Sequence, residues 1–202
     1  MKLSEIYKVN FEKWCIELLN EAFNTSLNEN IIQLNWEEND ISQELFEKLD
    51  ANPKRLKWNI SASREFHLPN VNISKSKGYA NKLRRIDIRM TSIISGLECK
   101  YFCEAKRLKE KDSKLKSAYI KEGMDRYISE KYPIGCMIGY LVEGDVTNTI
   151  DEGVNKLLNK YNRSAETLKM ESHNLVKSYY ESNHPEIGIL KHLIFDFTNI
   201  SN

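Results

Sequence analysis

The feature that most constrains this chain is a pair of alternating runs set back to back. In Leu83–Ile94 and Leu97–Leu108, apolar side chains fall at every second position, the strand period, and only Ser95-Gly96 separates the runs. Two residues are the length of a tight hairpin loop. That length fixes the register: Ile94 stands opposite Leu97, and each step back along the first strand is one step forward along the second. Ile86, Ile88, Met90 and Ser92 then meet Ala105, Cys103, Tyr101 and Cys99 on one face, which is nearly all apolar and is expected to face the core. The other face pairs Arg85 with Lys106, Asp87 with Glu104, Arg89 with Phe102 and Thr91 with Lys100. It is expected to line a cleft or meet solvent.

A merely solvated face would pair opposite charges, because like charges directly across a ladder destabilise by roughly 0.2–1 kcal/mol. Here acid meets acid and base meets base. Diagonal contacts of Asp87 with Lys106 and of Arg85 with Glu104 relieve part of the repulsion. Two carboxylates whose β-carbons lie about 5 Å apart stay ionised together when a hard divalent cation sits between them; otherwise one is driven to hold a proton. The pair therefore points to a metal site. As letters, Glu104-Ala105-Lys106 says little, since acid-x-Lys also occurs as Glu98-Cys99-Lys100 and Asp112-Ser113-Lys114. Register selects the middle one: Glu98 opposes Ile93, and Asp112 lies beyond the strand.

Around this hairpin the periodicity predicts an amphipathic helix over Leu3–Phe23, with Leu3, Ile6, Tyr7, Trp14, Leu18, Ala22 and Phe23 near one face. A second helix is expected from Asp40 to Leu49, ended by Asn52-Pro53, and a strand over Leu56–Phe66. Lys75–Lys82 reads as a polar loop. Asp112 or Ser113 caps a helix to about Lys131, with Pro133 at its exit. Ile134–Val142 is nine residues of unbroken apolar sequence, the mark of a strand covered on both faces. After a turn at Gly144–Asn148 come a helix over Thr149–Leu168 and strands near Leu175–Glu181 and Leu190–Phe197. The whole, residues 1–202, reads as a single α/β domain with a mixed central sheet: a core over about 3–142 and a C-terminal elaboration over about 145–202.

The αβββαβ order, the aspartate of Arg85-Ile86-Asp87-Ile88-Arg89 and the acid-x-Lys of Cys103-Glu104-Ala105-Lys106-Arg107 resemble the PD-(D/E)xK nuclease superfamily, the restriction-endonuclease-like fold. The resemblance covers roughly Leu3 to Val142. Two departures are visible: Ile86 stands where a proline is usual, and the helix after the motif lacks the glutamine found in many members. Lys121 and Arg126 are the polar residues available there instead. The resemblance implies a three-layer core, Asp87, Glu104 and Lys106 as catalytic residues, and Mg²⁺, with Mn²⁺ as a substitute, held by Asp87, Glu104 and the Ala105 carbonyl. Some members carry a further acid on a preceding helix, for which Glu44 and Glu12 are the candidates. The implied activity is hydrolysis of DNA phosphodiester bonds, by analogy in restriction or phage defence. A homodimer or a partner subunit is compatible with it.

Charge agrees with a polyanionic partner. The net charge is +1, yet Lys75–Lys121 holds 14 Lys and Arg against five Asp and Glu. Lys100, Arg107, Lys109, Lys111, Lys114 and Lys116 surround the motif, and with Lys121 and Arg126 they are expected to follow a nucleic-acid backbone. Two rival readings are a catalytically silent subunit that keeps the fold and binds DNA or a protein, and an interaction domain in which Arg85, Asp87, Glu104 and Lys106 form a surface salt-bridge lattice. The four cysteines, at 15, 99, 103 and 136, show no CxxC pair or finger spacing, so zinc is not expected. No apolar run reaches the length of a bilayer span, and Met1–Glu5 leads straight into amphipathic sequence. A cytoplasmic location without membrane attachment is the expectation.

Overall fold

Ser95 and Gly96 both adopt positive φ, 49° and 80°, as a two-residue type I′ hairpin loop requires. In the computed structural model, which describes residues 3–67, 77, 79, 83, 85–130 and 135–200, the hairpin pairs Ile94 with Leu97 and runs in the expected register back to Ile88 opposite Cys103. Most of the loop expected at Lys75–Lys82, and Pro133, lie outside the described residues.

The elements in chain order are α1 (Leu3–Asn28), α2 (Glu38–Ala51), α3 (Pro53–Lys57), β1 (Ile60–His67), β2 (Arg85–Ile94) and β3 (Leu97–Lys109). There follow α4 (Ser113–Ala118), a π-helical stretch Tyr119–Met124, α5 (Asp125–Glu130) and β4 (Gly135–Glu143). A second π-helical stretch, Asn148–Asn155, leads into α6 (Lys156–Lys160), a 3₁₀ turn Ser164–Glu166, β5 (Lys169–Met170), β6 (Tyr179–His184) and β7 (Gly188–Asp196). Among the described residues the strands form one mixed sheet in the order β1-β2-β3-β4-β7-β6-β5. β3, β4 and β7 run parallel, and the flanking pairs are antiparallel. Among the described residues no helix is long and apolar enough to cross a membrane.

Each face of the sheet buries its own cluster. On one, α1 and α2 press Phe11, Leu18, Leu19 and Leu45 onto Ile88, Met90, Tyr101 and Tyr140. On the other, the helical segments 113–130 and 148–160 press Tyr119, Met124, Ile150 and Leu158 onto Met137, Leu141 and Ile194. β4, between them, is buried from Gly135 to Val142 as its unbroken apolar run requires. The cysteines are free and buried, small apolar groups in the core.

The expected elements need four adjustments. Leu56 belongs to α3, where it is exposed, and not to a strand. The reason is local: the Asn52 side chain accepts the Lys54 N–H and Pro53 takes the first helical position, so the residues that stop α2 also start α3. On α1, which continues to Asn28, the expected face reaches the core at Leu18 and Ala22 with Tyr7, Trp14 and Phe23 packed against it, but Ile6 is exposed, and Phe11, Cys15 and Leu19 widen the buried stripe. Past Lys160 the expected long helix gives way to the 3₁₀ turn, and the expected strand at Leu175–Glu181 starts only at Tyr179.

Candidate active site

β1 and β2 both lose their regular alternation at one point. Glu65 has φ 49° and is skipped between the pairs Arg64–Ile88 and Phe66–Ile86, directly beside Asp87. Beyond it the apolar side chains change layer: Ile88 packs in the α1/α2 cluster, whereas Ile86 and Phe66 pack in the opposite one. Such an irregularity re-aims a side chain, here that of Asp87. The β2–β3 ladder closes at Ile88–Cys103, and past it the Ala105 N–H donates to Asp87 Oδ2 at 2.7 Å. The N–H and C=O of one residue point toward the same neighbouring strand, so the Ala105 carbonyl faces the edge that Asp87 occupies.

The polar face of the hairpin is recessed and not solvated. Glu104 is 0% exposed and Lys106 8%, because the segment 113–130 covers them. Gly123 is what lets it approach: a Cβ there would stand 2.4 Å from Met137 Cε and 3.3 Å from Lys106 Cγ. Glu104 Oε1 accepts from the Arg126 guanidinium at 2.6 Å and lies 3.5 Å from Lys106 Nζ. Its Oε2 is buried with no hydrogen-bond partner among the described residues. Burial, and then the Asp87 charge, push the Glu104 carboxyl up to about 8, against the opposing pull of Lys106 and Arg126. Asp87 is itself raised by burial, held back by the Ala105 N–H and by Lys106.

Lys106 donates to Glu38 Oε1 at 2.7 Å, and the Arg107 N–H reaches Glu38 Oε2 at 3.2 Å. Burial pulls the Lys106 ammonium down, but Glu38, Glu104 and Asp87 together outweigh it and the net shift is upward. Lys106 is therefore a cation at neutral pH. Glu38 was not among the sequence candidates, because the second helix was expected to begin at Asp40; it begins at Glu38, in an acidic stretch that suits a helix N-terminus. The two acids proposed from sequence lie elsewhere. Glu12 pairs with Lys191 at 2.5 Å, and Glu44 pairs with Lys48 at 3.3 Å.

The basic residues are more heavily engaged than their spacing suggests. Lys100 pairs with Glu98 at 2.7 Å, Lys109 with Glu143 at 3.2 Å and Arg107 with Glu37 at 3.6 Å. Lys116 is buried with its ammonium on the Glu110 carbonyl, and Lys121 lies 4.8 Å over the Tyr161 ring. Arg126 turns inward to Glu104. Lys111 and Lys114 are exposed.

Among the described residues, no three His, Cys, Asp or Glu side chains are grouped as a metal-binding cluster. A Mg²⁺ site does not need three, because this ion is commonly held by one or two carboxylates and keeps several waters. Asp87 and the orphaned Oε2 of Glu104 are the carboxylates that could contribute to such a set. Comparison of the chain with models of protein families, with curated proteins and with solved structures finds no match.

Proposed function

We propose that this chain is a metal-dependent endonuclease with a restriction-endonuclease-like core, acting on DNA in the cytoplasm. The observation that carries the reading is the buried Glu104 carboxyl with an unpartnered oxygen beside Asp87: two buried acids, each raised by burial and Glu104 further by the Asp87 charge, next to a lysine held as a cation. Asp87, Glu104 and the Ala105 carbonyl would hold Mg²⁺ or Mn²⁺. When bound, the ion supplies charge for a phosphoryl oxygen and lowers the pKa of an attacking water. Lys106, an ammonium steadied by Glu38, donates to the anionic oxygen that develops in hydrolysis and is not the general base. Glu38 takes the part of the additional acid on a preceding helix, acting through Lys106. Lys111 and Lys114 offer the exposed charge for the nucleic-acid backbone.

One observation favours a second reading. Arg126 sits on Glu104, which is how a catalytically silent subunit, retained for binding DNA or a protein, would neutralise a relict carboxylate. Incubating the protein with supercoiled plasmid, linear duplex, single-stranded DNA and RNA, with Mg²⁺ or EDTA, separates the two. The nuclease reading expects Mg²⁺-dependent cleavage of DNA that Glu104→Gln loses. Binding without cleavage supports the silent subunit.

A further inference from the structure

The C-terminal strands bury a chain of polar groups that the proposed chemistry does not use. Tyr119 Oη lies 2.8 Å from His192 Nδ1, and Ser182 Oγ lies 2.7 Å from His192 Nε2 and 2.6 Å from His184 Nε2. His184 Nδ1 stands 2.8 Å from Glu166 Oε2, at ion-pair distance. Arg163 then grips the Glu166 carboxylate with both arms of its fork, Nε at 2.9 Å and Nη2 at 2.6 Å, and sends Nη1 to Asp125 Oδ1 at 2.6 Å. Buried polar groups are tolerated when partnered; His184 Nδ1 meets Glu166 by charge and proximity and not in hydrogen-bond geometry, and the remaining hydrogens can be placed in one consistent order. Glu166 demands a proton on His184 Nδ1, which leaves His184 Nε2 to accept from the Ser182 hydroxyl. Ser182 then accepts from His192 Nε2–H, and His192 Nδ1 accepts from Tyr119.

Both ends of this relay grip the same helical segment. Tyr119 is the first residue of the π-helical stretch that packs Gly123 on Lys106, and Asp125 is the first residue after it. π-helical turns are often found at functional sites. Arg126 follows Asp125 directly. In a helix, neighbouring side chains are set at a fixed angle of about 100°, so anchoring Asp125 on Arg163 also fixes the direction in which Arg126 leaves the backbone, toward Glu104.

We propose that Arg163 is a positioning residue for Arg126: the relay from the C-terminal strands holds this turn so that Arg126 stays on Glu104, and freeing the turn opens Glu104 to a divalent cation. The second half rests on the reading of Asp87 and Glu104 as a metal site. The relay gives the C-terminal third, which lies outside the nuclease-like core, a part in the state of the site.

The test uses the full chain and its Arg163→Gln, Arg126→Gln, doubly substituted and Asp125→Asn variants. Mn²⁺ binding is measured by calorimetry, and hydrogen exchange of the 119–130 amides by mass spectrometry. Arg163→Gln and Asp125→Asn should raise exchange in this segment and tighten Mn²⁺ binding by about tenfold, which is about 1.4 kcal/mol. Arg126→Gln should tighten it at least as much without raising exchange, and the double variant should bind no tighter than Arg126→Gln alone. A structural defect would weaken metal binding, so tightening is the informative sign. Unchanged exchange in both Arg163→Gln and Asp125→Asn overturns the relay, as do metal effects of Arg163→Gln and Arg126→Gln that add. If exchange rises but neither the wild type nor any variant binds Mn²⁺, the relay stands and the metal reading falls.

Discussion

Replacing Asp87 by alanine removes a charge and an acceptor together, and the structure separates the two effects. The Ala105 N–H donates to Asp87 Oδ2 where the β2–β3 ladder has already closed. Alanine would leave this donor without its acceptor, at a cost of about 1–3 kcal/mol. Against this stands relief of repulsion with Glu104, whose size depends on pH. The Glu104 carboxyl, pushed up to about 8 by burial and then by Asp87, is largely protonated at pH 6, so at that pH little repulsion remains to relieve. A folded-state value raised above the unfolded one means that the folded protein binds more protons between about 4.5 and 8. Its stability therefore falls with rising pH through this window by up to about 1.4 kcal/mol per pH unit. Asp87→Ala, lacking the second cause of the shift, should lose less on the same path. Urea denaturation in EDTA should thus find Asp87→Ala about 1–3 kcal/mol less stable than wild type at pH 6, with the gap narrowing at pH 9. Asp87→Asn, whose carboxamide oxygen can still accept, should be close to wild type at pH 6. If Asp87→Ala equals or exceeds the wild type at pH 6, Asp87 is not closing the end of the ladder.

Other expectations follow from single interactions. Glu38→Gln should lower Mg²⁺-dependent cleavage at least tenfold by loosening Lys106, whereas Glu12→Gln and Glu44→Gln, whose pairs lie elsewhere, should keep most activity in the same assay. Charge reversal of Lys111 and Lys114 should weaken DNA binding and flatten its log–log salt dependence by about 0.9 for each phosphate no longer neutralised. Reversal of Lys100 and Lys109, already paired with Glu98 and Glu143, should change the slope less in fluorescence anisotropy titrations. Burial, and then His184, push His192 down to about 3, so the folded state resists a proton that the unfolded chain accepts near 6.5. Stability should fall by about 1.4 kcal/mol per pH unit below 6.5, and His192→Gln, which still offers a donor to Ser182, should flatten that acid limb in thermal melts.

The register of the hairpin was legible because a two-residue loop leaves no freedom: one turn fixed every pair from Ile94–Leu97 to Ile88–Cys103. β4 was legible from its unbroken apolar run. Glu38 was not, because its partner Lys106 is 68 residues away and helix starts are blurred by one or two residues. Burial of Glu104 and Lys106 also escaped, since alternation along a strand tells which residues share a face and not what later covers that face. The segment 113–130 does so, and it brings Arg126 onto Glu104, whereas the sequence reading expected this residue on the nucleic-acid backbone. The Tyr119–His192–Ser182–His184 relay joins residues from three separate segments, and local pattern carries no sign of it.

The most direct measurement is Mg²⁺-dependent DNA cleavage by wild type and Asp87→Asn at equal folded concentration, verified by matching melting curves in EDTA at pH 6. Asp87→Asn preserves the bond to Ala105 and removes one of the two carboxylates, so a change in activity cannot be blamed on the fold. Cleavage by the wild type should rise with Mg²⁺, vanish in EDTA and be lost in Asp87→Asn at every Mg²⁺ concentration. Cleavage that survives in Asp87→Asn, or a wild type that never cuts under any of these conditions, would contradict the nuclease reading.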